Sequence, residues 1–156
     1  MNYSNNIYKN QAKQAIDRLT EICHVVPNQL KAIREEEMSH ISSPEKWSKK
    51  EIIGHLIDSA TNNHHRFIRA QFEELPAIQY DQDNWNRFGY YQAMESNHLI
   101  EFWRLYNLHL TEIMKRIPEE LYSKEVLVKG EKHKLDFLMV DYVAHLEHHL
   151  GQVLST

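Results

Sequence analysis

The sequence predicts an all-α fold, a four-helix bundle with a long connection between its second and third helices. Apolar residues recur at intervals of three and four along four long stretches, which is the spacing of amphipathic helices. The 156 residues include 4 Gly and 4 Pro, so few points interrupt these stretches. Four such helices bury their apolar faces against one another, which predicts a bundle.

The first helix is predicted over about residues 8–25. Its apolar face has helical spacing and consists of Ala12, Ala15, Ile16, Leu19, Ile22, Cys23 and Val26. Pro27 is expected to kink or break the helix, because proline lacks the backbone N–H and clashes with the preceding turn. The apolar phase continues beyond it, so residues 28–38 are expected to extend or restart this helix before a polar loop at residues 39–46.

The second helix has the best-marked start in the sequence and is predicted over about residues 48–73. Ser48 and Glu51 have the spacing of a capping box, in which each side chain satisfies a backbone N–H of the other residue. Trp47, just before the cap, is placed to pack on Ile52. These signals fix where the helix begins.

A long connection follows the second helix and is rich in aromatic residues. Pro76 is expected to stop the helix, and residues 75–92 then link it to the third one. Connections of this length are usually functional or cross from one side of the fold to the other.

Two further helices are predicted, over about residues 93–117 and 135–154. The first of them carries an apolar stripe of Leu99, Trp103, Tyr106, Leu110, Ile113 and Ile117. Asp136 lies in the first turn of the last helix, where the helix dipole favours a carboxylate. Between the two helices, residues 126–128 precede a Lys-Gly pair and predict a short extended or hairpin segment.

The composition predicts one domain over residues 1–156, located in the cytoplasm. The length and the 42% hydrophobic content suit a single core. Residues 1–6 are polar and lack a secretory pattern, and no apolar run approaches the roughly 18 residues that a membrane span needs. The one cysteine, Cys23, lies among apolar residues and is expected to be a buried structural thiol. A formal charge of -4 without a long basic block argues against a nucleic-acid partner.

The sequence contains 11 histidines, several of them close together, and this points first to metal binding. His145 and His149 lie four residues apart on the last predicted helix, about 40° around its axis, so their imidazoles can converge on one cation. His148 is three residues from His145, but a helical projection turns it towards solvent and places Asp141 and Gln152 with the pair on one polar edge. Asp141 can orient His145, although for this residue alone an ordinary carboxylate in the N-terminal part of the helix is the favoured interpretation. Spacing alone also leaves surface or packing roles open for the pair.

The second predicted helix carries His55, His64 and His65. Its apolar positions centre about 130° from His55, so periodicity alone predicts an exposed imidazole. His55 heads a polar stripe that lines a cleft or faces water, formed with Ser59, Asn62 and Arg66. His64 lies on the apolar side and is expected to be packed rather than to bind metal. Asp58 can help to position His55, but a surface ion pair is the expectation for this carboxylate.

Two stretches of the sequence resemble signatures of the DinB/YfiT-like family. Residues 47–58, WSKKEIIGHLID, are similar to its pattern WS-x-x-E-x-x-x-HL-x-D, and residues 145–152, HLEHHLGQ, to its pattern H-x-x-HH-x-GQ. The likeness covers nearly the whole chain and implies the family's four-helix bundle. It also implies a divalent metal, commonly nickel or zinc, bound by one histidine of the second helix and two of the last, which transfers to His55, His145 and His149. Leu150 stands where the family often has arginine, so an anion contact of that arginine is not expected here.

The resemblance implies a metal-dependent enzyme. It would be a thiol S-transferase that uses a low-molecular-weight thiol such as bacillithiol, mycothiol or glutathione, or a hydrolase. Three imidazoles with a fourth position left to water suit both, because the metal can then activate water or hold a thiolate. In the transferase, Tyr80, Trp85 and Tyr91 of the long connection would shape the electrophile pocket. No general base is identifiable, since HLEHH is not the HExxH arrangement and Glu147 turns away from the pair. The expected partners are a small-molecule substrate and a second copy in a homodimer, with no membrane.

Two alternatives remain open on the sequence. A non-catalytic metal-binding stress-response module would work through dimerisation, and aromatic residues in a loop more often pack than bind substrate. A ferritin-like di-metal bundle would use the i, i+3 pairs Glu21 with His24 and Glu95 with His98. That fold also needs a bridging glutamate midway along each of the other two helices, which this sequence does not offer there, so it is the least favoured alternative.

Overall fold

The computed structural model describes residues 3–155, with side chains from Lys9 onward, and it is a four-helix bundle as predicted. Met1 and Asn2, the start of the polar N-terminal segment, and Thr156 lie outside the described residues. The long helices are α1 (Tyr3–Lys31), α3 (Lys49–Arg69), α5 (Ser96–Arg116) and α6 (Leu135–Leu154), and the shorter elements are α2 (Glu35–Ser39), α4 (Gln82–Gly89), β1 (Glu125–Val128) and β2 (Glu131–Lys134). Across residues 3–155, none of the helices combines the length and apolarity needed to cross a bilayer.

The helices α1 and α3 each pack against both α5 and α6. The helices α1 and α3 therefore lie diagonally across the bundle from each other, and so do α5 and α6. The core between them is apolar and includes the fully buried Leu19, Phe67, Trp103 and Leu146. Cys23 is part of this core, as predicted, and burial raises the pKa of its thiol to about 12. It is therefore a neutral packing residue.

Pro27 does not break the first helix, so of the predicted alternatives it is the extension past Pro27 that occurs. It lies inside α1, which continues to Lys31, and the short α2 follows after a turn. Proline removes one backbone hydrogen bond from the helix interior, but Cys23 and Leu30 on either side of it are both completely buried. Burial of the same apolar face before and after Pro27 keeps the two parts of the helix in one phase.

The predicted capping box at the start of α3 is present. The Ser48 hydroxyl accepts a hydrogen bond from the Glu51 backbone N–H, and the Glu51 carboxylate accepts one from the Ser48 N–H at 2.8 Å. The helix ends at Arg69, four residues before the predicted end, and a series of turns leads to Leu75 in the left-handed region at φ 45°. The start of α3 is therefore fixed by local chemistry that the sequence displays.

The long connection between the second and third long helices is ordered. It contains α4 and a turn of 3-10 helix at Tyr91–Ala93. Before α4, the backbone N–H of Ile78 donates a hydrogen bond to the backbone carbonyl of Leu127 at 3.0 Å. The predicted hairpin is confirmed as β1 and β2, which pair antiparallel around Lys129 and Gly130, both with positive φ. The connection and the hairpin thus form one side structure beside α3 and α6.

Candidate metal centre

Three histidines from two helices come together where α3 faces α6. His55 lies in the second turn of α3, and His145 and His149 lie one turn apart on α6. One ring nitrogen of each is within 4.8 Å of the others, and the ring centroids are 4.5 to 5.1 Å apart. Among the residues whose side chains are described, this is the one cluster of three or more histidine, cysteine or acidic residues close enough to share an ion. The structure therefore brings together all three histidines that the resemblance singled out.

The spacing of the imidazole nitrogens suits a single tetrahedral ion. The Nε2 atoms of His55 and His145 are 3.2 Å apart. Two nitrogens bound to one zinc at about 2.0–2.1 Å in a tetrahedron lie about 3.3 Å apart, so little movement is needed to accommodate an ion. Nδ1 of His149 donates to Oε1 of Gln152 at 2.8 Å, which leaves Nε2 of that ring without a proton and able to act as a ligand.

The electrostatics keep two of the rings neutral. Burial, together with the neighbouring imidazoles, lowers the pKa of His55 from 6.5 to about 4. Burial and His149 lower the pKa of His145 to about 4 as well, although Asp141 acts in the opposite direction. Neutral imidazole is the form that binds metal, so both rings are ready as ligands at neutral pH.

His55 is buried, with 1% of its surface exposed, and the prediction of an exposed imidazole from helical periodicity was wrong. The projection assigned polar residues to the outside, but Ser59 and Asn62 on the same stripe are also buried. Trp47 covers the site from the helix start, with its ring 5.0 Å from that of His55. A polar stripe can be buried when it lines a site between helices, which periodicity cannot distinguish from exposure to water.

Asp58 is also buried, which corrects the expectation of a surface ion pair. It is 4% exposed, and its Oδ1 accepts a hydrogen bond from the hydroxyl of Tyr91. Burial raises the pKa of this carboxyl to about 6, with the Tyr91 hydrogen bond acting against the rise. Its Oδ2 and Nδ1 of His55 are buried without a hydrogen-bond partner among the described residues. Sequence reasoning treated Asp58 as ordinary, and the HL-x-D spacing was the one signal that pointed to it.

A polar cleft of about 280 Å³ opens beside His145. Its walls come from α3, α6, the connection and the hairpin, and it is lined by residues including Ser59, Arg66, Tyr80, Lys129 and Asp141. Of the three aromatic residues predicted to shape a pocket, Tyr80 lines this cleft and Trp85 packs on Tyr80 with ring centroids 5.4 Å apart. Tyr91 instead lies buried at Asp58.

The other candidate residues lie outside the cluster. His148 is exposed, as predicted, and His64 packs on Tyr106 with its Nδ1 3.0 Å from the hydroxyl. Asp141 is exposed in the cleft wall, and the described hydrogen bonds of His145 do not include it. Glu147 pairs with Arg18 at 2.7 Å and faces away from the three rings, as predicted.

The ferritin-like alternative finds no support among the described residues. The four residues of its i, i+3 pairs are exposed: Glu21, His24, Glu95 and His98. They do not join a group that could hold an ion in the part of the chain whose side chains are described.

Two Bacillus proteins are similar to this chain over most of its length. A Bacillus licheniformis protein described as a candidate metal-dependent hydrolase is 23% identical over 141 residues, covering 88% of this chain and 80% of its own. YfiT of Bacillus subtilis, described in the same way, is 22% identical over 149 residues, covering 91% and 84%.

Solved structures share the fold. The structure of YfiT, a four-helix bundle of unusual topology, superposes with a TM-score of 0.84 at 20% identity, over 93% of this chain and 85% of YfiT. The mycothiol-dependent maleylpyruvate isomerase superposes with a TM-score of 0.72 at 14% identity, over 96% of this chain and 60% of that enzyme. The family model described as the DinB superfamily matches residues 13–153. With nearly its whole length matched by that model, the chain belongs to the DinB superfamily.

Proposed function

We propose that this protein is a metal-dependent enzyme that acts on a small molecule. In this proposal one divalent ion, nickel or zinc, is held by His55, His145 and His149. The observation that carries the proposal is that His145, one of three clustered imidazoles, lines a polar cleft. A purely structural ion needs no cleft beside it, so this arrangement favours the enzyme over a non-catalytic module.

An ion held by three histidines would supply Lewis-acid chemistry, which lowers the pKa of a coordinated water or thiol. The residues of the chain prepare the site for it. Gln152 fixes the tautomer of His149. Trp47 packs beside His55, with the two ring centroids 5.0 Å apart. The cleft admits a ligand next to His145, where Tyr80 offers a hydroxyl.

The reaction class that we propose first is transfer of a low-molecular-weight thiol to an electrophile, and the second is hydrolysis. The fold is shared with an enzyme that depends on mycothiol, and the sequence relatives are described as candidate hydrolases. Both classes need a nucleophile brought next to the ion, and the cleft beside His145 provides the room for it. We also propose that the protein is located in the cytoplasm and forms a homodimer.

The test is to incubate metal-loaded protein with bacillithiol, mycothiol or glutathione and a chlorinated aromatic acceptor. Mass spectrometry of the acceptor would then reveal the thioether product. A parallel series without thiol, with ester and amide substrates, tests hydrolysis. We expect turnover that depends on the ion and is lost in His145→Ala. Absence of turnover in both series from protein that retains its histidine-bound ion would contradict the proposal.

A further inference from the structure

The cleft beside His145 contains an arginine, Arg66, that forms no ion pair with a carboxylate of the described residues. Arg66 lines the cleft from α3. Its guanidinium donates to the side-chain oxygen of Asn63 at 3.3 Å and to the carbonyl of Ile78 at 3.2 Å. Its Nε is buried and has no partner among the described residues. The group therefore keeps donors free while it is held in place by neutral acceptors.

Four other arginines of the chain are paired with carboxylates, and Arg87 instead lies over the ring of Phe88. Arg18, Arg69, Arg104 and Arg116 each contact a glutamate at 2.6 to 2.9 Å. Those four lie on exposed or half-exposed surfaces, where such pairs add little stability. Arg66 is half-buried, and the cost of burial lowers the pKa of its guanidinium. A half-buried cation without a carboxylate is costly for the fold, which is the pattern expected of a group that awaits an anion.

The charges that line the cleft favour a ligand with a single negative charge. Lys129 and Asp141 lie at its exposed rim with opposite signs, so their contributions nearly cancel. Arg66 then leaves the cleft with about one positive charge. A guanidinium matches a carboxylate with two parallel N–H donors, whereas a phosphate dianion would need further cations.

The position of Arg66 sets the size of the ligand. His55 and Arg66 are eleven residues apart on α3, about 16 Å along the helix axis, and the arginine side chain reaches back towards the histidines to contact Asn63. Arg66 and His145 line the same cleft, so one ligand bound there can contact both. A ligand that touches both must be an extended small molecule with a reactive group at one end and an anion at the other.

We propose that Arg66 is a specificity-determining residue that binds the carboxylate of the small-molecule ligand, whose other end lies at the three histidines. This inference rests on the proposed function. It assigns the anion contact to α3 and not to α6, where Leu150 is buried in the core. The carboxylate belongs either to the thiol or to the electrophile.

The test compares ω-mercaptoalkanoates of increasing chain length with the amides of the same chains, by titration calorimetry on zinc-loaded protein. Charge-assisted hydrogen bonds predict that one chain length binds about 10- to 100-fold more tightly as the carboxylate than as the amide. In Arg66→Gln this ratio should fall to about one, and in Arg66→Lys it should be intermediate. Arg69→Gln, on the same helix but paired with Glu73, is the matched control and should keep the wild-type ratio.

A second variant keeps the test independent of any folding defect at Arg66. Asp141→Asn removes the carboxylate of the cleft rim and should increase the ratio severalfold. The amides alone report the contact of thiol with zinc, so their failure to bind would count against the proposed function and not against Arg66. If the amides fail to bind, the ratio of carboxylate to amide affinity is measured with alkanoates and alkanamides that carry no thiol. A wild-type ratio near one for the mercaptoalkanoates at every length and also for the acceptor described below, or a ratio unchanged in Arg66→Gln, would overturn the inference.

In the same titrations, a chlorinated aromatic acceptor with and without a carboxylate identifies which reactant carries the charge. A carboxylate preference that appears for the acceptor and not for the mercaptoalkanoates assigns the anion to the electrophile, and the reverse assigns it to the thiol. Loss of the preference in Arg66→Gln is required in either case.

Discussion

The aromatic ring of Tyr91 lies directly against the backbone of Gly54, the residue that precedes His55 on α3. Gly89 approaches the same ring. The hydroxyl of Tyr91 then reaches Asp58, one turn further along α3. Since a Cβ at either glycine would collide with the ring, the two glycines let the long connection close over the helix turn that carries His55.

Gly54→Ala should therefore destabilise the fold by about 1–3 kcal/mol, because the methyl group would have to displace a buried aromatic ring. The control is Gly151→Ala on α6, where a Cβ would meet no atom within 4 Å. That substitution should stabilise the protein by about 0.5–1 kcal/mol through helix propensity. Urea unfolding of both variants measures the difference, and equal effects at the two glycines would refute the packing argument.

Asp58→Asn should change how stability depends on pH. The pKa of Asp58 is raised from 3.8 to about 6, so the folded protein binds this proton more tightly than the unfolded chain does. Ionisation of this carboxyl therefore lowers the free energy of unfolding of the wild type above about pH 6. This loss diminishes as the pH falls from about 6 towards 3.8. Relative to wild type, the variant should lose about 3 kcal/mol of its free energy of unfolding between about pH 8 and pH 4. Urea titrations of the two proteins that run parallel over this range would exclude a perturbed carboxyl.

The histidines should impose the opposite trend on metal-free protein. The folded pKa of His55 and His145 is about 4, against 6.5 for the free imidazole. The unfolded chain binds more protons between these values, so the wild type loses stability as the pH falls from about 6.5 to about 4. His145→Gln should lose less stability than the wild type between about pH 6.5 and pH 4. Urea unfolding in the presence of a chelator measures this loss. A variant as sensitive to acid as the wild type would mean that the buried ring does not resist protonation.

Gln152 should matter for metal affinity although it does not belong to the proposed ligand set. It accepts the Nδ1–H of His149 and so fixes the tautomer that exposes Nε2. Gln152→Ala should weaken zinc binding about 10- to 100-fold, and Gln152→Glu should retain it. Competition with a chromophoric chelator measures the affinity. His148→Ala is the control, since His148 is exposed and also contacts Gln152. A similar loss in that control would show that the effect is not specific to His149.

Most of the helical framework could be predicted, because its signals are local. The capping box of Ser48 and Glu51 and the apolar stripe on α6 depend on neighbours within a few residues. The sequence left open whether Pro27 ends the first helix, because the outcome depends on the packing on both sides of it, which here outweighs the loss of one hydrogen bond. The form of the long connection depends on contacts with distant residues, such as that between Ile78 and Leu127, which no local pattern reveals.

The candidate site could be predicted only in part. The four-residue spacing of His145 and His149 is visible in the sequence, but periodicity placed His55 outside and the family resemblance placed it with the pair. The burial of Asp58 and the unpaired charge of Arg66 arise where α3 meets the connection. Such features require the tertiary structure, since polar residues look alike in sequence whether they face water or a cleft.

The proposed metal centre is one divalent ion bound jointly by His55, His145 and His149. Its most direct test is the metal content of purified protein by mass spectrometry, for wild type and for His55→Ala and His149→Ala, with His148→Ala as control. We expect one nickel or zinc ion per chain in wild type and control, and loss of the ion in the other two variants. Full metal content in both His55→Ala and His149→Ala would contradict it.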